Sequence, residues 1–135
     1  MKRLLLAGAV VVTAIALLCT ASCIGLRSKS KAEAASAMDC VLEWGRLAPF
    51  PQSAKDLTIT AEGGSFTRAF RAKFTAPPQD INAWIASSLG TKNLVPERAG
   101  SSIRKYVIAP GGGAAYAKVV IDDQTNLVTV YVYWS

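Results

Sequence analysis

Apolar and polar positions divide this chain into one unbroken apolar run and a series of short alternating segments. Leu4–Leu26 carries no charge over 23 residues, enough to span ~30 Å of hydrocarbon as a helix. Between 57 and 76 the period is two. Leu57, Ile59 and Ala61 fall on one side of an extended chain, and Thr58, Thr60 and Glu62 on the other. Gly63-Gly64 then supplies the positive φ of a two-residue turn. Ser65–Ala76 alternates again, with Phe66, Arg68, Phe70, Ala72 and Phe74 opposite Thr67, Arg71, Lys73 and Thr75. This predicts a hairpin.

The period lengthens after Pro77-Pro78. Prolines suit a first helical turn, and Asp80 complements its positive end. Ile81, Trp84, Ile85, Ser88 and Leu89 follow at i, i+3, i+4, i+7 and i+8, a helical stripe closed by Gly90. Leu94–Ser101, with Pro96 and Gly100, reads as a loop, and Ser102–Ala109 as a strand. Pro110-Gly111-Gly112-Gly113 turns the chain. Tyr116–Asp122 and Leu127–Trp134 form a second hairpin around Asp123–Asn126, with Val128, Val130, Val132 and Trp134 opposite Thr129, Tyr131 and Tyr133.

These elements predict an α+β domain. Its antiparallel sheet has about five strands in ββαβββ order, with one helix across the apolar face and an apolar helix preceding the whole. A weaker pattern in Met38–Leu47 (Val41, Leu42, Trp44) predicts one or two helical turns that pack Trp44 on the domain. Ala48-Pro49-Phe50-Pro51 is extended, because each proline disfavours helix in the residue before it. The chain thus divides into a signal peptide or membrane anchor at 1–26, a flexible small-residue linker at 27–37 (RSKSKAEAASA) and a single α+β domain at 38–135.

The N-terminal run admits three readings. Met1-Lys2-Arg3 and the apolar stretch to Leu18 have the shape of a signal peptide. Thr20-Ala21-Ser22-Cys23 is similar to the bacterial lipobox, in which small residues precede a cysteine that becomes lipidated. Thr20 stands where that family prefers leucine. On this reading Cys23 carries the lipid. The other readings are an uncleaved spanning helix and ordinary signal cleavage. Arg27, Lys29 and Lys31 just beyond the run suit anionic headgroups, but weaken the positive-inside preference for export.

The formal charge is +6, yet residues 40–135 hold ten basic and seven acidic side chains, a net of +3. That is no nucleic-acid footprint. The chain has no histidine, which excludes Ser-His-Asp and Cys-His catalysis. Of Cys19, Cys23 and Cys40, only Cys40 belongs near the domain, so no disulfide framework forms within it. Gly111-Gly112-Gly113 lacks the following helix that a phosphate loop needs. Asp122-Asp123 with Asn126 lacks the later glutamate and central glycine of a calcium loop. Ser53, Ser87 and Ser88 have no evident base, and the carboxylates show no paired spacing. No catalytic residue, metal site or cofactor is expected, and a non-enzymatic protein is.

One constellation stands out. If the second hairpin pairs Val120 with Thr129, Lys118 lies opposite Tyr131 and Tyr116 opposite Tyr133 on the solvent side of the sheet, with Arg71 and Lys73 on another strand. Basic and aromatic groups on a sheet face bind sugars, peptides or anionic polymers by stacking and cation–π contact. The ordinary alternative is a half-exposed sheet face on which tyrosine simply fits.

Pro51-Gln52-Ser53-Ala54-Lys55-Asp56 before a strand, and Phe74-Thr75-Ala76-Pro77-Pro78-Gln79-Asp80 before a helix carrying Trp84, resemble in layout small uncharacterised bacterial lipoproteins or membrane-anchored exported proteins. The resemblance implies an envelope location on the extracytoplasmic side and no particular reaction. The expectation is a membrane-tethered binding or interaction module. Its partners are membrane lipid through the N-terminus and an envelope protein or cell-wall component. The alternative is a structural or assembly partner of a larger membrane complex.

Overall fold

Residues 33–135 are those described by the computed structural model. The expected N-terminal apolar helix, the candidate Cys23 and Arg27, Lys29 and Lys31 lie outside the described residues. The fold is α+β. Helix α1 (33–45) precedes β1 (Lys55–Gly63), β2 (Arg68–Thr75), α2 (Pro78–Ser87), β3 (Glu97–Ala99), β4 (Ile103–Ile108), β5 (Tyr116–Asp122) and β6 (Leu127–Trp134). All strand pairs are antiparallel, in the order β1-β2-β6-β5-β4-β3. After β2 the chain crosses over through α2 to the far edge, then meanders back through β3, β4 and β5 until β6 docks beside β2.

Both helices pack on one face. There Phe70, Ala72 and Phe74 of β2, Ala117, Val119 and Ile121 of β5, and Val128, Val130 and Val132 of β6 meet Val41 of α1 and Ile81, Trp84 and Ile85 of α2. The three valines of β6 are fully buried. Alternation in β2, β5 and β6 thus has the direct cause that one face is covered and the other is not.

Trp84 binds these layers together. Its indole stands edge-on to Phe74 at 5.5 Å and lies 6.0 Å from Phe50, while Nε1–H donates to the Ala48 carbonyl at 2.9 Å. The 46–50 connector is held from a second side by Ser88. Its hydroxyl accepts from the Ala48 N–H at 3.0 Å and donates to the Trp84 carbonyl at 2.8 Å. The Gly90 N–H then donates to the Arg46 carbonyl at 2.8 Å. An added Cβ at Gly90 would meet the Gly45 carbonyl at 2.2 Å, so only glycine permits this approach. Further along, Arg104 of β4 bonds Asp123 through Nε (2.9 Å) and Nη2 (2.6 Å), and Asn82 of α2 through Nη1 (3.1 Å). Burial works against the Arg104 charge, but the hydrogen bonds and charge of Asp123, with Tyr106, outweigh it and hold its pKa above the ordinary value.

Several expectations are corrected. The sheet has six strands, not five, because Glu97–Ala99 inside the expected loop pairs with β4. All three β3 residues are exposed, so no apolar alternation marked the strand. There are two helices in the folded part, since α1 runs from at least 33 to 45 and takes in 33–37, which read as linker. Ala37 and Val41, one turn apart, are its buried side chains, with Gly45 buried a turn further on. The order among the described residues is therefore αββαββββ. The Gly63-Gly64 turn is a four-residue loop, because Gly63 pairs with Arg68. A Cβ at Gly63 would stand 2.1 Å from the Thr67 carbonyl. Phe66 sits in that loop, 85% exposed, rather than in the core. Leu89 is 60% exposed, because α2 ends at Ser87 and Ser88 is already extended, so the helix stops two residues short of Leu89.

Trp84→Ala should cost ~3–5 kcal/mol in chemical denaturation, as a buried aromatic truncation. Trp84→Phe keeps ring contact but orphans the Ala48 carbonyl and should cost ~1–2 kcal/mol. A loss from Trp84→Ala within the ~0.5 kcal/mol of ordinary surface changes would mean that Trp84 does not hold the layers together.

Candidate functional site

The helices leave the second face of the sheet uncovered, and the register arranges its side chains in rows. Arg71 of β2 pairs with Tyr131 of β6, which pairs with Lys118 of β5. One row further, Ala69 pairs with Tyr133 and Tyr133 with Tyr116. In the other direction Lys73 pairs with Thr129 and Thr129 with Val120. Arg71, Lys73, Tyr116, Lys118, Tyr131 and Tyr133 therefore share one face. Val107 and Lys105 of β4 extend the Lys118 and Val120 rows.

Four of the six are in direct contact. The Arg71 guanidinium carbon lies 5.7 Å from the Tyr131 ring centre. Lys118 Nζ lies 5.6 Å from the same ring and 6.0 Å from that of Tyr116. The two rings are 6.3 Å apart and tilted by 57°. Tyr131 is thus flanked by two cations, and Lys118 by two rings. Each such contact at a half-exposed site contributes ~0.5–1 kcal/mol. Tyr133 joins through its backbone pairing with Tyr116 and lies on the same face as the buried Ala69. Lys73 stands exposed one row away, outside the ring contacts.

The charge on this face is only partly compensated. Arg71 pairs with Glu62 at 3.5 Å, with both side chains about half exposed, an arrangement that contributes little. Lys105 pairs with Glu97 at 2.9 Å, which raises the lysine's pKa, first through the hydrogen bond and then through the charge. Among the described residues Lys118 and Lys73 form no ion pair. Two cations and a pair of tilted rings therefore face solvent together. Such a surface can stack a sugar or peptide and attract a negative group. Glu62 and Glu97 were not among the sequence candidates. A four-residue loop after Gly63 is what puts Glu62 within reach of Arg71.

Other candidate groups lie elsewhere. The Ser53 hydroxyl donates to Asp80 Oδ2 at 2.6 Å, a partner not evident in the sequence. The pair borders a shallow cleft of about 630 Å³ with Pro49, Pro51 and Trp84, and ties the 51–54 turn to the first turn of α2. Cys40 is half-buried. Burial raises its thiol pKa first, then Glu43 and Asp39, against an opposing effect of Arg68. Among the described residues no group of three His, Cys, Asp or Glu side chains is placed to hold a metal ion, and no helix is long and apolar enough to cross a membrane.

No protein-family model, curated protein or solved structure matches this chain.

The raised Cys40 pKa lowers its thiolate fraction near neutral pH. Alkylation of Cys40, followed by peptide mass mapping, should be slower in the native protein than in the denatured chain, with its pH profile displaced to the alkaline side. Equal rates would remove the burial assigned to this thiol.

Proposed function

We propose that this chain is a non-enzymatic, membrane-tethered binding module of a bacterial envelope. It holds an anionic or sugar-bearing envelope component on the helix-free face of its sheet. The observation that carries the reading is the contact cluster of Arg71, Tyr131, Lys118 and Tyr116. It is a basic-aromatic surface on the adjacent strands β2, β6 and β5, with Lys118 in no ion pair among the described residues. The tether rests on the apolar run Leu4–Leu26 and the lipobox-like Thr20–Cys23.

A second reading, assembly into a larger membrane complex by strand addition, has one observation in its favour. β1 is nine residues long and occupies a sheet edge. That edge is blunted by the irregularity between Lys55 and Thr58, with Asp56 at φ 55°, a device that discourages further pairing.

Lys118→Gln combined with Tyr131→Ser should weaken retention of the full chain on isolated cell-wall material by about ten-fold, equivalent to ~1.4 kcal/mol. Added salt should weaken the native interaction in the same direction, and the thermal midpoint should shift by only a few degrees. A folded double variant with unaltered retention would reduce the cluster to an ordinary half-exposed sheet face.

The tether is checked by intact mass of the membrane fraction. Loss of residues 1–22 with added acyl chains, abolished by Cys23→Ser, assigns the lipoprotein form. An intact Met1 assigns the spanning helix.

A further inference from the structure

One end of the sheet gathers apolar side chains that the fold leaves in water. Phe66, 85% exposed, forms the tip of the loop between β1 and β2. Trp134, 41% exposed, ends β6 directly opposite Arg68, the first residue of β2. Leu89, 60% exposed, precedes Gly90, which is packed against Ile108 at the end of β4. Ile108, Ala117, Val132 and Phe70 are consecutive partners across the sheet. Leu89, Trp134 and Phe66 therefore span the same end of four adjacent strands. Nothing in the core or the sheet-face cluster uses them.

Helix α1 lies at this end as well. The Trp44 ring is 5.4 Å from Phe70, Cys40 is close enough to Arg68 to feel its charge, and the Gly111 N–H between β4 and β5 donates to the Trp44 carbonyl at 2.9 Å. From Trp44 back to Cys40, α1 thus runs toward the start of β2 and the Phe66 loop. In sequence, the charge-free run ends at Leu26, only six residues before the described fold begins at 33.

We infer that this end of the domain, through Phe66, Trp134 and Leu89, rests on the interface of the same bilayer that holds the N-terminus. The inference builds on the tethered reading above. Aromatic rings with an apolar body are favoured at the headgroup level, and Trp is favoured most because its N–H can remain hydrated there. Three side chains make a weak contact by themselves. A short tether converts it into an intramolecular event at high effective concentration, so weak contact is enough. Charge does not carry it, since Arg46 and Arg68 share this end with Asp39 and Glu43. The contact is therefore insensitive to salt, unlike ligand binding at the sheet face.

The test uses the full chain isolated from membranes and reconstituted in phosphatidylcholine–phosphatidylglycerol vesicles, with or without brominated acyl chains that quench nearby tryptophan. Trp84 is buried and Trp44 half-buried, so Trp134 should account for more than half of the quenching. Trp134→Phe should remove that part, and Phe66→Trp in the same background should restore it, at low and high salt alike. If the chain floats with the vesicles but Trp134→Phe leaves quenching unchanged, or tryptophan at 66 is not quenched, the domain hangs free and the inference is overturned while the tether stands. If the chain does not float with the vesicles, the tethered reading falls and this inference with it.

Discussion

Everything on the covered side of the sheet depends on the indole of Trp84. Its ring face and edge fill the space between α2, Phe74 and Phe50, and its N–H fixes the carbonyl of Ala48. Without that bond the 46–50 connector would leave the part-buried Ala48 carbonyl unmatched, at a cost of ~1–2 kcal/mol. Ser88 completes the arrangement by satisfying the Ala48 N–H from just beyond the end of the same helix. A helix that ends one residue before Ser88 is the condition for this geometry, because an extended Ser88 lets the chain turn back over Arg46 and lets Gly90 close against it. The exposed Leu89 follows from that termination.

The covered face also explains the uncovered one. Strict alternation in β5 and β6 sends Ala117, Val119, Ile121, Val128, Val130 and Val132 inward, which obliges Tyr116, Lys118, Tyr131 and Tyr133 to project the other way. A slip of one residue would exchange the sets and place the valines in water, so burial of the valines fixes the position of the tyrosines. The cluster is therefore preorganised by packing that it does not share. A surface built this way can lose a side chain without losing its scaffold, which separates its chemistry from the stability of the fold.

Much of this was legible in the chain because two signals were strong: the period of two in β2, β5 and β6, and the Ile81, Trp84, Ile85 stripe of α2. The register Val120–Thr129 followed from the four-residue turn at Asp123–Asn126. What failed failed for physical reasons. β3 is three exposed residues held by its neighbour's hydrogen bonds, with no large apolar side chain to announce it. Residues 33–37 of α1 belong to a small-residue stretch that looks like a linker, because the buried position there is an alanine, Ala37, instead of a large residue. The Gly63-Gly64 pair predicts a two-residue loop where the structure has four residues, because nothing in the sequence extends β1 through Gly63. The difference moves the pairing partners of Thr58 to Gly63 by four positions, an even number, so the faces of β1 and β2 keep their assignments, while the Glu62–Arg71 pair is not foreseen.

Three regions of one small domain thus have different physical characters. The helix side is apolar and closed. The sheet face is basic and aromatic, with Arg71 and Lys118 set against the Tyr131 ring. The end that carries Phe66, Trp134 and Leu89 is apolar and open, with mixed charge around it. The β strands run from this end to the opposite one, so the sheet face stands beside the apolar end and not over it. If that end rests on a bilayer, the strands rise away from the surface, and Arg71, Tyr131 and Lys118, the second row in, remain above the headgroups and open to the solvent side. Seating the domain on lipid and holding a ligand on its sheet are then compatible at the same time, because no side chain is asked to serve both.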